Sequence, residues 1–377
     1  MKKILFVVES LSGGGAEKVL TTLVKHLSRE RYDVTVLTVT ATGIYVNEVQ
    51  KYCRLRYMLP SYETLANSIE KLKYRLDYRW IYTKPVEQVY RRYIKESYDV
   101  EIAFVEGFAT KLVAASWNCA SRKICWVHTD MVRNSYADSC YQSLSEHKQA
   151  YQKYDSIVCV SEYVKSVFQD KFFSSNALKV LYNPVDESAV LKLAKDPCEL
   201  ERSDHLLLGS VGRLEEQKGY IRLLKCARTV AEGGGKFTIW LIGEGSQRTK
   251  MEEYIEEHHL QEYVKLIGFQ SNPYKYMNQC DAFICSSYAE GFSTAATESL
   301  ILGKPIFTVE CSGMKELFGK YECGEIVENT DEALLNMLCR LVKNEKCLQQ
   351  YCKNVLMRRR EFQIGSRMKE IEALLGR

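Results

Sequence analysis

Short apolar runs alternate along the chain with longer segments whose apolar residues recur every third or fourth position. In the first half the runs are Ile4–Val8, Val34–Val39 and Val100–Val105, and two more end in Trp126–Asp130 and Asp155–Glu162. In the second half they are Leu206–Val211, Phe237–Ile242, Val264–Ile267, Ala282–Cys285 and Pro305–Val309. Strand-length apolar runs separated by amphipathic segments predict parallel sheets covered by helices on both faces, an α/β architecture. Two such units follow one another. The polar stretch from Asp186 to Asp204 reads as a short helix and a linker, which predicts domains at residues 1–190 and 200–355. Residues 356–377 read as a terminal helix, broken near Gly365. No internal repeat or low-complexity tract is present.

A length of 377 residues fits two domains, each able to bury its own core. The net charge of +4 is mild. The 14 cysteines contain no Cys-x-x-Cys pair and have no histidine at ligand spacing, so free thiols in a reducing cytoplasm are expected. The opening Met1-Lys2-Lys3 and apolar run stop at Glu9, too soon for a signal peptide, and read as a first strand. No stretch approaches the roughly twenty apolar residues of a membrane span, so any membrane contact is expected to be peripheral.

The densest candidate chemistry lies in the run Glu290-Gly291-Phe292-Ser293-Thr294-Ala295-Ala296-Thr297-Glu298, directly after a predicted buried strand. Gly291 provides a flexible turn, and Ser293 or Thr294 can cap the helix that follows. The start of such a helix offers unpaired N–H groups and the positive end of its dipole, which suit a diphosphate. Glu290 falls in the loop. Glu298 falls about one turn into the helix, where a carboxylate can accept two hydrogen bonds from a vicinal diol such as ribose. The dipole alone favours acidic residues near helix starts, so the pair gains meaning from its company.

That company is Leu207 to Gly219, with Gly212-Arg213 and Lys218-Gly219, then Trp240-Leu241-Ile242-Gly243-Glu244-Gly245-Ser246, then Lys265-Leu266-Ile267-Gly268-Phe269. The first half adds Gly13-Gly14-Gly15 after a strand, Trp126-Val127-His128-Thr129-Asp130, and Leu181-Tyr182-Asn183-Pro184. In this order the segments resemble the GT4 family of retaining glycosyltransferases over nearly the whole chain. The resemblance implies a GT-B fold, two Rossmann-like doubly wound domains facing a central cleft, with the terminal helix crossing back onto the first domain.

Arg213 and Lys218 follow the first strand of the second domain, at the carboxyl end of a parallel sheet, where two cations can neutralise a diphosphate leaving group. Gly14 and Gly15 lack the spacing of a dinucleotide fingerprint and let the backbone come close to a ligand. By the resemblance they belong near the donor phosphates, as do the N–H groups of Phe292, Ser293 and Thr294. Gly243 and Ile267 fall in the region of the nucleotide base, Glu298 on the ribose, and His128 on the transferred sugar near its 6-hydroxyl. The same resemblance implies that Glu290 orients the donor sugar and stabilises positive charge there, in place of a covalent nucleophile. Glu17 belongs either to the acceptor side or only to the first helical turn. Ser293 stands where a proline is frequent in the family. The chain has no Asp-x-Asp triplet, so neither metal nor other cofactor is expected.

Residues 71–95 carry eight basic and two acidic residues, and the resulting +6 exceeds that of the whole chain. Tyr74, Tyr78, Trp80, Tyr82, Tyr90 and Tyr93 are interleaved with them. This mixture suits an anionic membrane surface, and equally a solvated helix with its tyrosines packed inward. No nucleic-acid recognition fold accompanies it. The expected function is transfer of a hexose or N-acetylhexosamine from a nucleotide diphosphate sugar, a UDP-sugar by family habit. The expected acceptor is a lipid-linked saccharide of a bacterial surface polysaccharide, at the cytoplasmic face of the membrane. Two alternatives stand: a GT-B sugar-nucleotide epimerase, and a non-catalytic sugar-nucleotide-binding scaffold.

Overall fold

The computed structural model describes residues 1–376, except for the side chain at position 345. Two compact units emerge. One is Met1–Pro184 together with the terminal stretch from Gly365, and the other is Val185–Ile364. The division at Pro184 assigns the helix Glu187–Leu193 to the second unit, where Val190 is buried.

In the first unit seven parallel strands are β1 (Lys2–Val8), β2 (Tyr32–Thr40), β3 (Arg54–Leu59), β4 (Val100–Ala103), β5 (Arg122–Val127), β6 (Ser156–Cys159) and β7 (Leu178–Val180). They lie in the order β3-β2-β1-β4-β5-β6-β7. Ile4 to Val8 are wholly buried because helices cover both faces of the sheet, which is why this strand is a continuous apolar run. The final helix, Ile364–Gly376, buries Met368, Ile371, Leu374 and Leu375. It is tied to the start of the chain by Lys2 Nζ donating to the Leu375 carbonyl at 3.0 Å and by an Arg31–Glu372 ion pair at 2.7 Å.

The second unit has β8 (Leu206–Val211), β9 (Phe237–Ile242), β10 (Val264–Gly268), β11 (Ala282–Cys285), β12 (Ile306–Val309) and β13 (Gly324–Val327), in the order β10-β9-β8-β11-β12-β13. Its helices Tyr220–Glu232 and Asp331–Lys343 set Leu223, Leu224, Ala227 and Val230 with Leu334, Met337, Leu338 and Leu341 into one buried cluster. Each fully buried leucine contributes roughly 1.5–3 kcal/mol, so the strand ends are held on a firm support. In both units the strand order reverses beside the first strand of the sheet. The crevice at the carboxyl ends of β1 and β4, and that of β8 and β11, are therefore the places where open α/β sheets bind ligands.

Candidate active site

In the second unit the reversal point is occupied by an ion pair. Lys218, in the loop leaving β8, donates from Nζ to Glu290 Oε1 at 2.6 Å, and Glu290 lies in the loop leaving β11. Ser287 Oγ donates to the same carboxylate oxygen at 2.6 Å. Glu290 is only 8% exposed. Burial alone would lower the Lys218 pKa, but the adjacent Glu290 carboxylate reverses this and holds the ammonium above its ordinary value. The lysine is thus a permanent cation, and its positive charge stands at the mouth of the β8 loop.

The two loops are joined along their length. Tyr288 N donates to Gln217 O at 2.8 Å, Gln217 Nε2 to Ala289 O at 2.8 Å, and Ser286 Oγ to Lys218 O at 3.0 Å. Gly219 has φ of 64°, and a Cβ there would lie 2.1 Å from the Ser286 carbonyl oxygen, so only glycine permits this approach. Arg213, exposed on the same β8 loop, lies near enough to Glu215 to lower that carboxyl's pKa, although hydrogen bonds from Ser246 lower it more.

Glu290 is followed by the helix Thr294–Ile301, whose N-cap is Ser293, with its side chain accepting from Ala296 N at 3.3 Å. A proline at this cap could not supply that bond. Helix geometry leaves the first N–H groups, beginning with Thr294, without intrahelical acceptors. Glu298, 2% exposed on this helix, accepts from Tyr274 Oη at 3.1 Å. Gly243 and Ile267 lie at the ends of neighbouring strands. Gly212 N donates to Ile242 O at 3.1 Å and Gly243 N to Gly268 O at 2.9 Å, which knits the ends of β8, β9 and β10 together. A Cβ on Gly243 would stand 1.9 Å from the Gly212 oxygen, so this residue too must be glycine.

The remaining predicted residues belong to the first unit, Gly14 and Gly15 after β1 at its reversal point and His128 after β5, one strand further along. Gly14 caps the helix Gly15–His26, and a Cβ on Gly14 would meet the Glu17 carboxylate at 2.1 Å, because Glu17 folds back over the turn. His128 follows β5, with its ring 5.0 Å from that of Phe104. Burial lowers its pKa to about 4, and a hydrogen bond to the Phe104 backbone opposes the shift. His128 is therefore neutral near pH 7. Its Nε2 is buried without a protein partner.

Sequence reasoning missed the residue that holds this histidine in place. Glu106, buried after β4, accepts from the His128 backbone N–H, from Thr129 N at 2.8 Å and from Tyr136 Oη at 3.1 Å. Burial raises its pKa. Tyr274, which supports Glu298, was also missed. Among the described residues no group of three or more His, Cys, Asp or Glu side chains is arranged to hold a metal ion.

The basic segment is also clearer in three dimensions. Tyr90 is buried, and Ser116 Oγ donates to its hydroxyl at 3.0 Å. Arg92 pairs with Asp77 at 3.2 Å and lies 4.6 Å over the Trp80 ring. Part of the segment is therefore internal packing. The helix Ser68–Thr83 nevertheless displays Ile69, Leu72 and Leu76, exposed at 80%, 59% and 61%. Their spacing of three and four residues puts them on one face, flanked by exposed Lys73, Arg75 and Arg79. Among the described residues no helix is long and apolar enough to cross a membrane.

Comparison with known proteins bears on the family and the fold. Residues 13–189 match the family model "Glycosyltransferase Family 4", and residues 195–356 match "Glycosyl transferases group 1". The chain is 26% identical over 381 residues, 96% of each chain, to a Campylobacter jejuni N-acetylgalactosamine-N,N'-diacetylbacillosaminyl-diphospho-undecaprenol 4-alpha-N-acetylgalactosaminyltransferase. It is 31% identical over 145 residues, 36% of each chain, to the amylovoran biosynthesis glycosyltransferase AmsK of Erwinia amylovora. The solved structure of Anabaena HepE in complex with UDP and glucose aligns over 100% of both chains with a TM-score of 0.78 at 19% identity. The chain belongs to the family 4 glycosyltransferases and has their GT-B fold of two Rossmann-like domains.

Proposed function

We propose that this chain is a retaining, metal-independent transferase. It moves a hexose or N-acetylhexosamine from a UDP-sugar to a lipid-linked saccharide in the synthesis of a bacterial capsule, exopolysaccharide or lipopolysaccharide. The observation that carries the reading is the Lys218–Glu290 pair across the β8/β11 reversal point, with Glu298 one turn into the following helix. A cation, a carboxylate for the sugar, a helix start for phosphate and a carboxylate for ribose stand there in consecutive order. The lipid-linked acceptor is supported by the name of the Campylobacter relative, and UDP by the ligand of the Anabaena structure.

In this reading Arg213, Lys218 and the N–H groups of Phe292, Ser293 and Thr294 bind the diphosphate, and Gly14 and Gly15 approach it with bare backbone. Glu298 accepts from the ribose hydroxyls, and Gly243 and Ile267 border the base. Neutral His128 accepts a hydrogen bond at Nε2 from a hydroxyl of the transferred sugar. As the bond from the anomeric carbon to the diphosphate oxygen breaks, positive charge develops on the sugar and Glu290 stabilises it. The acceptor oxygen bonds to the same face of that carbon, and its proton passes to the departing phosphate oxygen. Lys218 balances the charge released on the leaving group, a task that needs no divalent ion.

Access to a lipid-linked acceptor is served by the Ser68–Thr83 helix, whose apolar stripe enters the headgroup zone of an anionic bilayer while Lys73, Arg75 and Arg79 meet lipid phosphates. The protein then works peripherally at the cytoplasmic face of the membrane. The reading is tested by thermal unfolding with nucleotides. UDP raises the melting temperature and GDP and ADP do so much less, since a ligand bound only by the folded state stabilises it according to its affinity. No stabilisation by any nucleotide or nucleotide sugar contradicts it.

A further inference from the structure

Arg222 is an unusual residue for its place. It is the third residue of the helix Tyr220–Glu232 and points inward with the core residues Tyr220, Leu223 and Leu224, its side chain only 2% exposed. An ion pair does not account for its burial, since the nearest carboxylate, Asp331, is 3.7 Å away and 64% exposed. The guanidinium is used instead on backbone. Nε and Nη2 both donate to the Ser286 carbonyl, at 2.8 and 2.5 Å, and Nη2 also reaches Asn329 Oδ1 at 2.8 Å. The guanidinium carbon lies 4.0 Å from the Tyr288 ring centroid. Asn329 continues the pattern, with Nδ2 donating to the carbonyls of Ser287 at 3.4 Å, Tyr288 at 3.2 Å and Glu310 at 3.1 Å.

One guanidinium and one carboxamide thus hold three consecutive carbonyls, 286 to 288. These residues belong to neither strand nor helix, so sheet and helix partners do not satisfy their carbonyls. They immediately precede Ala289 and Glu290. A leucine at position 222 would fill the core as well but would leave the carbonyl of Ser286 unpaired, and a lysine has no planar fork with which to grip two acceptors.

We propose that Arg222 and Asn329 form a positioning pair, which fixes segment 286–290 so that Glu290 meets the anomeric carbon of the bound donor. The inference rests on the transferase reading above. It assigns the pair a larger effect on turnover than on nucleotide affinity, because Glu290 lies on the held segment whereas Glu298 sits on a different element and is supported by Tyr274, outside the hydrogen bonds made by Arg222 and Asn329. Displacing a catalytic group by an ångström costs on the order of a hundredfold in rate.

The test compares full-length wild type with Asn329→Ala, Arg222→Lys and Arg222→Ala, measuring the Kd for UDP, kcat for sugar transfer and melting temperature. Asn329 is half-buried, so its variant retains the fold even where Arg222→Ala does not. Asn329→Ala is expected to lower kcat about ten- to a hundredfold, with a much smaller change in the Kd for UDP and a modest fall in melting temperature. Arg222→Lys falls between it and Arg222→Ala, and added guanidinium ion partly restores the latter. Unchanged kcat in Asn329→Ala, or a loss of UDP affinity that parallels the loss of kcat, overturns the positioning role while the transferase reading stands. A wild-type protein that binds no nucleotide overturns both.

Discussion

Lys218 and Glu290 are two opposite charges withdrawn from water, a combination whose desolvation cost a single 2.6 Å contact offsets only with further hydrogen bonds. Ser287 supplies one of these, and the Glu290 carboxylate holds the Lys218 ammonium above its ordinary pKa. In the proposed mechanism the two acidic residues of the site differ in what they do for the reaction. A ribose contact is equally strong in ground and transition states, whereas a carboxylate beside the anomeric carbon acts where charge develops. Glu298→Gln is therefore expected to weaken UDP binding about tenfold or more, with a smaller change in kcat at saturation. Glu290→Gln lowers kcat about a hundredfold and leaves UDP affinity intact or improved, because Lys218 is released to the phosphates. Titration calorimetry with UDP and initial rates on both variants check the split, and equal losses of affinity mean that the two roles are misassigned. Glu290, Glu298, Arg213 and Lys218 were legible because they fall in contiguous motifs. Glu106, Tyr274 and Asn329 were not, since each reaches the candidate site only through contacts far away in sequence. Arg222 did leave a signal that went unread: a lone charge among apolar residues on the inward face of a helix.

At the scale of elements, the buried central strands and the edge strand β10 were legible as apolar runs, and the edge strands β3, β7 and β13 were not. β3, Arg-Leu-Arg-Tyr-Met-Leu, carries two arginines and buries only Met58 and Leu59, β7 has three residues of which only Leu178 is buried, and β13 is short and only partly buried. The Ser68–Thr83 helix shows the same limit. Its charge was evident, but three well-exposed apolar side chains on one face appear only when the neighbouring elements are placed. Replacing Leu72 and Leu76 with Gln removes the apolar contact, and replacing Arg75 and Arg79 with Gln removes charge. Arg92 is left in place because it packs on Trp80. Each pair of substitutions is expected to reduce sedimentation with vesicles containing anionic lipid by severalfold, and the wild-type interaction weakens as salt rises. Stabilisation by UDP stays as in wild type. Vesicle binding that survives both sets of changes assigns the stripe to another purpose.

Across the whole molecule the same design occurs twice, a parallel sheet whose strand order reverses beside its first strand, and the candidate residues lie at carboxyl ends of strands in both sheets. The second unit gathers cations and carboxylates suited to a nucleotide diphosphate sugar, and the first gathers a neutral histidine and its buried carboxylate support. The central claim is that these groups transfer a sugar to an acceptor without a metal. It is tested most directly by incubating the purified full-length protein with UDP-hexoses and UDP-N-acetylhexosamines in excess chelator, with and without lipid-linked saccharides, and measuring UDP release and the anomeric configuration of the product. The account predicts UDP release that requires acceptor, persists in chelator and yields a glycoside with the donor's anomeric configuration. UDP release without acceptor, transfer abolished by chelator and restored by magnesium or manganese, or an inverted product would contradict it.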